Sequence, residues 1–207
     1  MPNHTVSQGE CISSIAWQHG FFPNTIWNDP ANAALKSARK DPNVLFPGDV
    51  VFIPEKQSKQ ADAATEKKHT YVLKGVPAKL RLRILDGDVP RANVNYKLSI
   101  DGKWFEGTTD GDGKLEHTIP PGAQTGYLLF EGDVPIRLAL GDMDPVDTIS
   151  GIQGRLRNLG FDCGAIDGNL SPRLEAALKA FQQKHGLTVT GQADEATKNK
   201  LKEIHGS

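Results

Sequence analysis

The chain has 207 residues, with 24 Lys and Arg against 25 Asp and Glu, and its formal net charge is -1 at pH 7. This balance excludes the strongly basic surface that nucleic acid or an anionic membrane would require. No run approaches the ~20 apolar residues that a membrane-spanning helix needs. The two cysteines, Cys11 and Cys163, cannot form a disulfide framework, so we expect free thiols in a reducing compartment.

Two changes in composition divide the chain into three units. Residues 56–69 are charged or small polar. We predict that they form a linker, because such a segment buries too little apolar surface to offset the conformational entropy lost when it becomes ordered. Residues 141–147 end a β-rich pattern and begin a helical one. We therefore predict a multi-domain α+β protein with units at 1–55, 70–142 and 143–207.

The first unit is predicted to have the order strand, helix, helix, strand. Residues 4–6 form a short extended piece, and apolar residues from Ile12 to Ala16 recur at helical spacing before Gly20, which favours a helix end. A second short helix is predicted at 25–28, and residues 50–54 form an apolar strand.

Both ends of this unit resemble a LysM domain. The resemblance is carried by His4-Thr5-Val6, Gly9-Glu10 and Ile12-Ser13-Ser14-Ile15-Ala16, and by the ending Phe46-Pro47-Gly48-Asp49-Val50-Val51-Phe52-Ile53-Pro54. It implies a βααβ fold with a shallow groove between two loops that binds glycans containing N-acetylglucosamine. The glycan-binding residues that it implies are Gly9, Glu10, Cys11, Ile12, Asp29, Pro30, Leu45, Phe46 and Pro47.

The middle unit alternates between apolar and polar residues, which is typical of short β-strands. The predicted strands are 79–84, 93–100, 104–109, 115–119, 127–130 and 135–140. Asp101-Gly102 is a hairpin-turn signal, and strands at this spacing favour a small antiparallel β-sandwich. The run from Val94 to Leu115 resembles transthyretin-like, carboxypeptidase-regulatory-type modules, which implies a spacer or a protein contact.

The third unit is predicted to contain three short helices around one core. Apolar residues recur at helical spacing from Ile149 to Leu159, and Ser171-Pro172 supplies an N-cap followed by a proline at the first helical position. Asp194 can cap the last helix, which Gly206 ends.

This unit also resembles the peptidoglycan-binding-domain-1 family. The resemblance is carried by Ile152-Gln153, Leu156, Leu159-Gly160-Phe161, Gly164-Ala165-Ile166-Asp167-Gly168, Ala180-Phe181-Gln182 and His185-Gly186-Leu187. It implies a peptidoglycan-binding three-helix domain. A shallow peptide or glycan pocket would be bordered by Ile166, Asp167, Gly168, Phe181 and Gln182, and a purely structural role for the same positions stays open.

No pattern in the chain predicts catalysis. The six histidines do not fall at metal-ligand spacing, and no nucleophile elbow or phosphate loop is present. Cys11 with His4 or His19 is a conceivable nucleophilic pair, but its position favours a helix cap. Asp110 and Asp112 resemble the start of a calcium loop without its distal glutamate, which favours a hairpin turn. We predict no catalytic residue, no metal site and no cofactor.

The large aromatic side chains available for stacking on a sugar are Trp17, Trp27, Trp104 and Phe46. Phe46 lies in the loop that the LysM resemblance assigns, so it is the best exposed candidate. Trp17 and Trp27 are interpreted as core residues or subunit contacts.

Two hypotheses for function follow. In the first, the protein is a non-catalytic adaptor that binds peptidoglycan fragments or glycans containing N-acetylglucosamine, and so anchors a partner at the murein layer. In the alternative, it is an interaction scaffold of a phage-tail-like or type VI secretion apparatus, attached to a spike, a baseplate or a toxic effector. The first residues lack a signal peptide, so we expect synthesis in the cytoplasm and delivery to the periplasm or beyond by a contractile injection system. A small hydrolase would need a reactive cluster that the sequence does not show.

Overall fold

The computed structural model describes residues 3–57, 68 and 78–206, and most of the predicted linker at 56–69 lies outside them. Within these ranges the chain forms six α-helices and ten β-strands, all of whose strand pairs are antiparallel. The predicted mixed α+β class is confirmed. None of the helices in the described ranges has the length and apolar character needed to cross a bilayer.

The N-terminal elements follow the predicted order with one addition. They are β1 (Asn3–Thr5), α1 (Ile12–His19), α2 (Pro23–Trp27), a 3₁₀ turn (Pro30–Asn32), α3 (Ala33–Arg39) and β2 (Val50–Phe52). The added helix α3 has the sequence AALKSAR, which is rich in strong helix formers. Strands β1 and β2 pair with His4 opposite Val51.

A buried amide ties the helices of this unit to its small sheet. The Asn32 side chain is 1% exposed and donates to the carbonyl oxygens of Ile26 and Phe52, both at 2.9 Å. Its own oxygen accepts from the Phe52 N–H at 2.8 Å. Because both polar atoms of this buried amide have hydrogen-bond partners, it ties the end of α2 to β2 without leaving a buried polar group unpaired.

The middle of the chain is built from strands alone. They are β3 (Ala78–Arg83), β4 (Leu85–Asp86), β5 (Val89–Pro90), β6 (Asn95–Ile100), β7 (Lys103–Thr108), β8 (Lys114–Ile119), β9 (Thr125–Phe130) and β10 (Ile136–Ala139). One sheet has the order β10-β9-β6-β7, and β3 pairs with β8. All six predicted strands are present, and the short β4–β5 hairpin is additional. Residues Asp101 and Gly102 both have positive φ, as a two-residue hairpin turn between β6 and β7 requires.

The four-stranded sheet and the β3–β8 pair share one buried cluster. Leu98 and Leu128 of the four-stranded sheet are fully buried, and Leu80 and Leu115 of the β3–β8 pair pack in the same cluster. Side chains that alternate along a strand point to opposite faces, so one face of the larger sheet lines this core and the other is turned away from it.

The last part of the chain has three helices, namely α4 (Ile149–Asn158), α5 (Pro172–Lys184) and α6 (Glu195–His205). The predicted caps are present: Ser171 Oγ accepts from the Leu174 N–H at 3.1 Å, and Asp194 accepts from the Thr197 N–H at 2.8 Å. Leu156, which is fully buried, packs with side chains from all three helices in one cluster.

Candidate functional site

The first predicted glycan loop, Gly9 to Ile12, is only partly accessible. Gly9 has a φ of 86°, and Cys11 is the N-cap residue of α1, as its position predicted. Ile12 is fully buried in the N-terminal core, and its N–H donates to the Pro42 carbonyl at 2.9 Å. Ile12 therefore supports the loop from below and cannot touch a ligand.

The carboxylate of Glu10 is held by the structure around it. It accepts from the Ser7 N–H at 2.8 Å and lies 2.8 Å from Nε2 of His4, whose other ring nitrogen is 3.4 Å from His19. Partial burial raises the pKa of Glu10, but the hydrogen bonds from Ser7 and His4 outweigh it, so the pKa lies below its ordinary value. Glu10 thus stabilises the loop as an anion.

The second predicted loop is mixed in exposure. The Asp29 carboxylate accepts from the Ala31 N–H at 2.9 Å, and Pro30 is exposed. Leu45 is 5% exposed and belongs to the core, while Phe46 and Pro47 are half-buried. The guanidinium of Arg39 lies 5.7 Å from the centre of the Phe46 ring, so this ring is less open to a sugar than its sequence position suggests.

The first loop also meets the middle unit. Nε2 of Gln8 donates to the carboxylate of Asp142 at 2.8 Å, and a Cβ placed on Gly141 would lie only 2.5 Å from the carbonyl oxygen of Gly9. A cleft of about 170 Å³ remains between the loop and the sheet. Its walls are Gln8, Gly9, Gln124, Thr125, Arg137, Ala139, Leu140 and Asp142. The outer edge of the loop therefore borders the sheet.

In the C-terminal unit, two of the predicted site residues lie inside the core. Phe181 and Gln182 are both fully buried. The Gln182 side chain donates to Gln192 O and to Thr197 Oγ1, each at 2.9 Å, and accepts from the N–H groups of residues 190 and 191. Both residues therefore organise the fold, and neither presents a surface to a ligand.

The other three predicted residues form a loop that a second glutamine holds. Gln153 is 1% exposed, and its amide nitrogen donates to Asp167 at 2.9 Å while its oxygen accepts from the Gly168 N–H at 2.9 Å. The hydrogen bond from Gln153 lowers the pKa of Asp167. Ile166, the first residue of this loop, has an exposed fraction of 46%, and Leu170, which follows the loop, has one of 79%. The loop is thus a fixed polar turn between two exposed apolar side chains.

A groove of about 410 Å³ adjoins this loop. It is lined by Arg157, Phe161, Asp162, Cys163, Gly164, Ala165 and Arg173. Arg173 pairs with Asp162 at 2.5 Å, and both side chains are well exposed. Arg157 is exposed and forms no ion pair within the part of the chain that the structure describes. The groove therefore offers a ligand the guanidinium of Arg157, the Arg173–Asp162 ion pair and the partly buried ring of Phe161.

No sequence pattern distinguishes the arginines of this groove. Arg157 closes α4 and Arg173 opens α5, and the fold brings these distant positions together. Phe161 belongs to the motif that resembles the peptidoglycan-binding-domain-1 family. Arg157 and Arg173, in contrast, cannot be distinguished in the sequence from ordinary solvent-exposed arginines.

The thiol in the groove wall is poorly suited to nucleophilic chemistry. Cys163 is 2% exposed, and its Sγ lies 3.2 Å from the carbonyl oxygen of Gln153, to which it donates. Burial raises the pKa of the Cys163 thiol, which disfavours the reactive thiolate.

Comparison with known proteins identifies the C-terminal unit. Searches of curated proteins and of solved structures gave no match to the chain. Residues 146–201 match the family model described as "Putative peptidoglycan binding domain". This range contains Gln153, Gln182 and every residue that lines the groove. The C-terminal part of the chain is therefore similar to peptidoglycan-binding domains, which indicates peptidoglycan as a partner.

Proposed function

We propose that the protein is a non-catalytic adaptor that holds a partner at the peptidoglycan layer, and that the groove beside Ile166 is its contact with the wall. One observation carries this proposal. The groove with two arginines lies between the end of α4 and the start of α5, within the segment that matches the peptidoglycan-binding family.

The chemistry of the groove suits a peptide stem of the wall. Such stems carry carboxylates, and a guanidinium binds a carboxylate through two parallel hydrogen bonds. Arg157 is available for this contact. Arg173 is held only by an exposed pair with Asp162, and exposed pairs contribute about 0–1 kcal/mol, so a ligand carboxylate can compete for it. Phe161 offers apolar surface to the small alkyl side chains of the stem.

Joining this groove to a second wall-binding unit would strengthen attachment without new contacts. The LysM resemblance of the N-terminal unit supports such a second site for glycans containing N-acetylglucosamine. Two weak sites on one chain raise the effective concentration of each for a polymeric ligand. An adaptor of this kind would depend on multivalent wall and would bind single fragments weakly.

The proposal assigns no reaction to the protein. Glu10 and Asp167 belong to different units and are each engaged in local hydrogen bonds, and Cys163 is buried. Turbidity of a sacculus suspension tests this point, and clearing of the suspension by the purified chain would contradict it.

Retention on purified sacculi at physiological salt tests the binding role. We expect the full chain to sediment with sacculi, and the double variant Arg157→Ala with Arg173→Ala to lose about 100-fold in affinity, as for loss of two charge-assisted contacts of about 1.5 kcal/mol each. Arg81→Ala is the matched control, because Arg81 is an exposed arginine in an ion pair on β3. No retention of the wild type, or equal retention of the double variant and the control, would refute the role.

The scaffold hypothesis for a contractile injection apparatus, including delivery of the chain out of the cytoplasm, stays a prediction. Co-purification of the full chain with a spike, baseplate or effector protein would support it.

A further inference from the structure

The outward face of the four-stranded sheet carries an unusual row of side chains. The register places Trp104 of β7 opposite Ser99 of β6, Ser99 opposite Tyr127 of β9, and Tyr127 opposite Arg137 of β10. These four side chains point away from the core, since Leu98, next to Ser99 in the chain, is buried on the other face. The row therefore crosses the whole width of the sheet.

The two aromatic residues of this row are exposed on either side of a buried serine. Trp104 is 58% exposed and Tyr127 is 48% exposed, whereas Ser99 between them is 7% exposed. Neighbouring strands lie about 4.8 Å apart, so the backbones that carry the two rings are separated by roughly 10 Å. Leaving two large rings in water forgoes a substantial hydrophobic gain, and such exposure is typical of a binding surface.

Charge and shape indicate what the row would bind. Arg137 forms no ion pair within the described ranges, and it also lines the cleft of about 170 Å³ against Gln8 and Gly9. The neighbouring outward row carries Lys97 and Glu106, whose side chains are exposed and 3.4 Å apart. A face that carries both aromatic rings and charged groups offers the stacking surfaces and the polar edges that binding of a sugar requires.

We propose that this row and the adjoining cleft bind an acidic amino-sugar strand, namely peptidoglycan glycan from which the stem peptides have been removed. The apolar faces of two sugar rings would stack on Trp104 and Tyr127. Arg137 would bind the lactyl carboxylate of N-acetylmuramic acid, which is free where the stem peptide has been removed, at the mouth of the cleft. The choice of polymer rests on the proposed function, whereas the site is separate from the C-terminal groove.

The test uses the full chain and glycan strands from which an amidase has removed the peptide stems, with binding followed by calorimetry. We expect Trp104→Ala and Tyr127→Ala each to lose about tenfold in affinity. Trp104→Phe and Tyr127→Phe keep a ring and should retain most of it. Phe22→Ala removes a 56% exposed ring outside this face and should bind as the wild type does. Circular dichroism of each variant checks the fold.

The outcomes separate this site from the groove. Because the probe carries no stem peptide, loss of its binding in the Trp104→Ala and Tyr127→Ala variants reports on this face, whereas sacculus retention of the variant Arg157→Ala with Arg173→Ala reports on the groove. Wild-type affinity in the combined Trp104→Ala and Tyr127→Ala variant would overturn the inference, while sacculus retention through the groove could still stand. Unchanged glycan binding together with loss of a co-purifying protein would also overturn it, and would assign the face to a protein partner.

Discussion

Replacing Gln182 by Leu should destabilise the C-terminal unit while leaving its outer surface unchanged. Leu is close to Gln in size, so the substitution removes hydrogen bonds without opening a large cavity. In the wild type the side-chain oxygen accepts from the N–H groups of Thr190 and Gly191 at 2.9 Å, and the nitrogen donates to Thr197 Oγ1 at 2.9 Å. Gly191 and Thr197 are buried, so water cannot replace the lost partner.

The loss of stability is set by the two buried groups that lose a hydrogen-bond partner, the Gly191 N–H and the Thr197 hydroxyl. Each buried polar group left without a partner costs about 1–3 kcal/mol, which gives a loss of about 2–6 kcal/mol for Gln182→Leu. A core in a unit of this size rarely supplies more than about 3–5 kcal/mol. The substitution should therefore remove most of the free energy of unfolding of the C-terminal unit. Its unfolding midpoint should fall by about 4–8 °C for each kcal/mol lost.

Hydrogen exchange provides the most specific readout. In the variant, the amides of Thr190 and Gly191 should exchange much faster than in the wild type. Gln183→Leu is the matched control, since Gln183 is the next residue on the same helix and is exposed. The reasoning is refuted if Gln182→Leu is as stable as Gln183→Leu and both amides stay protected. It also predicts that the folded fraction of Gln182→Leu still binds sacculi.

Three further changes test other parts of the structure. Gly164→Ala places a Cβ at a φ of 84° and 3.3 Å from Cδ of Arg173, so we expect about 1 kcal/mol of destabilisation in urea unfolding and weaker sacculus binding. Because folding lowers the pKa of Glu10, its contribution is present above the unfolded pKa of about 4.3 and is lost as the pH falls through the folded pKa. The stability gap between the wild type and Glu10→Gln should therefore close in acid, and a gap that is independent of pH would contradict the stabilisation of the carboxylate by Ser7 and His4. Gly141→Ala would place a Cβ 2.5 Å from a carbonyl oxygen of the N-terminal loop, so small-angle scattering should show a more extended chain than for Gly132→Ala, where a Cβ meets no atom.

Secondary structure was predictable where local chemistry decides it. Ser171 and Asp194 cap helices because their side-chain oxygens reach the free N–H groups of the first turn, whatever the rest of the chain does. The turn at Asp101 and Gly102 follows from the tolerance of these residues for positive φ. Helix α3 was missed because it has helix formers but lacks an apolar period, and none of its residues is buried.

The candidate site was predictable only in part, because sequence motifs mix residues that build a fold with residues that face a ligand. Phe181 and Gln182 belong to the motif, yet both are fully buried, and Ile12 is likewise a core residue in the loop that resembles LysM. Asp167 lies on the surface only because Gln153 holds its loop there. Burial depends on what packs against each residue, which local sequence does not specify.

The sequence by itself determined the element types, the caps and turns, and the similarity of the last unit to a peptidoglycan-binding domain. Tertiary structure alone decided which side chains share a surface: Arg157 and Arg173, from two helices, line one groove, and Trp104, Tyr127 and Arg137 lie on one face of the four-stranded sheet. The physical reason is distance along the chain. Capping and turn formation act over a few residues, whereas a binding surface is assembled by strand register and helix packing between positions that have no local influence on one another.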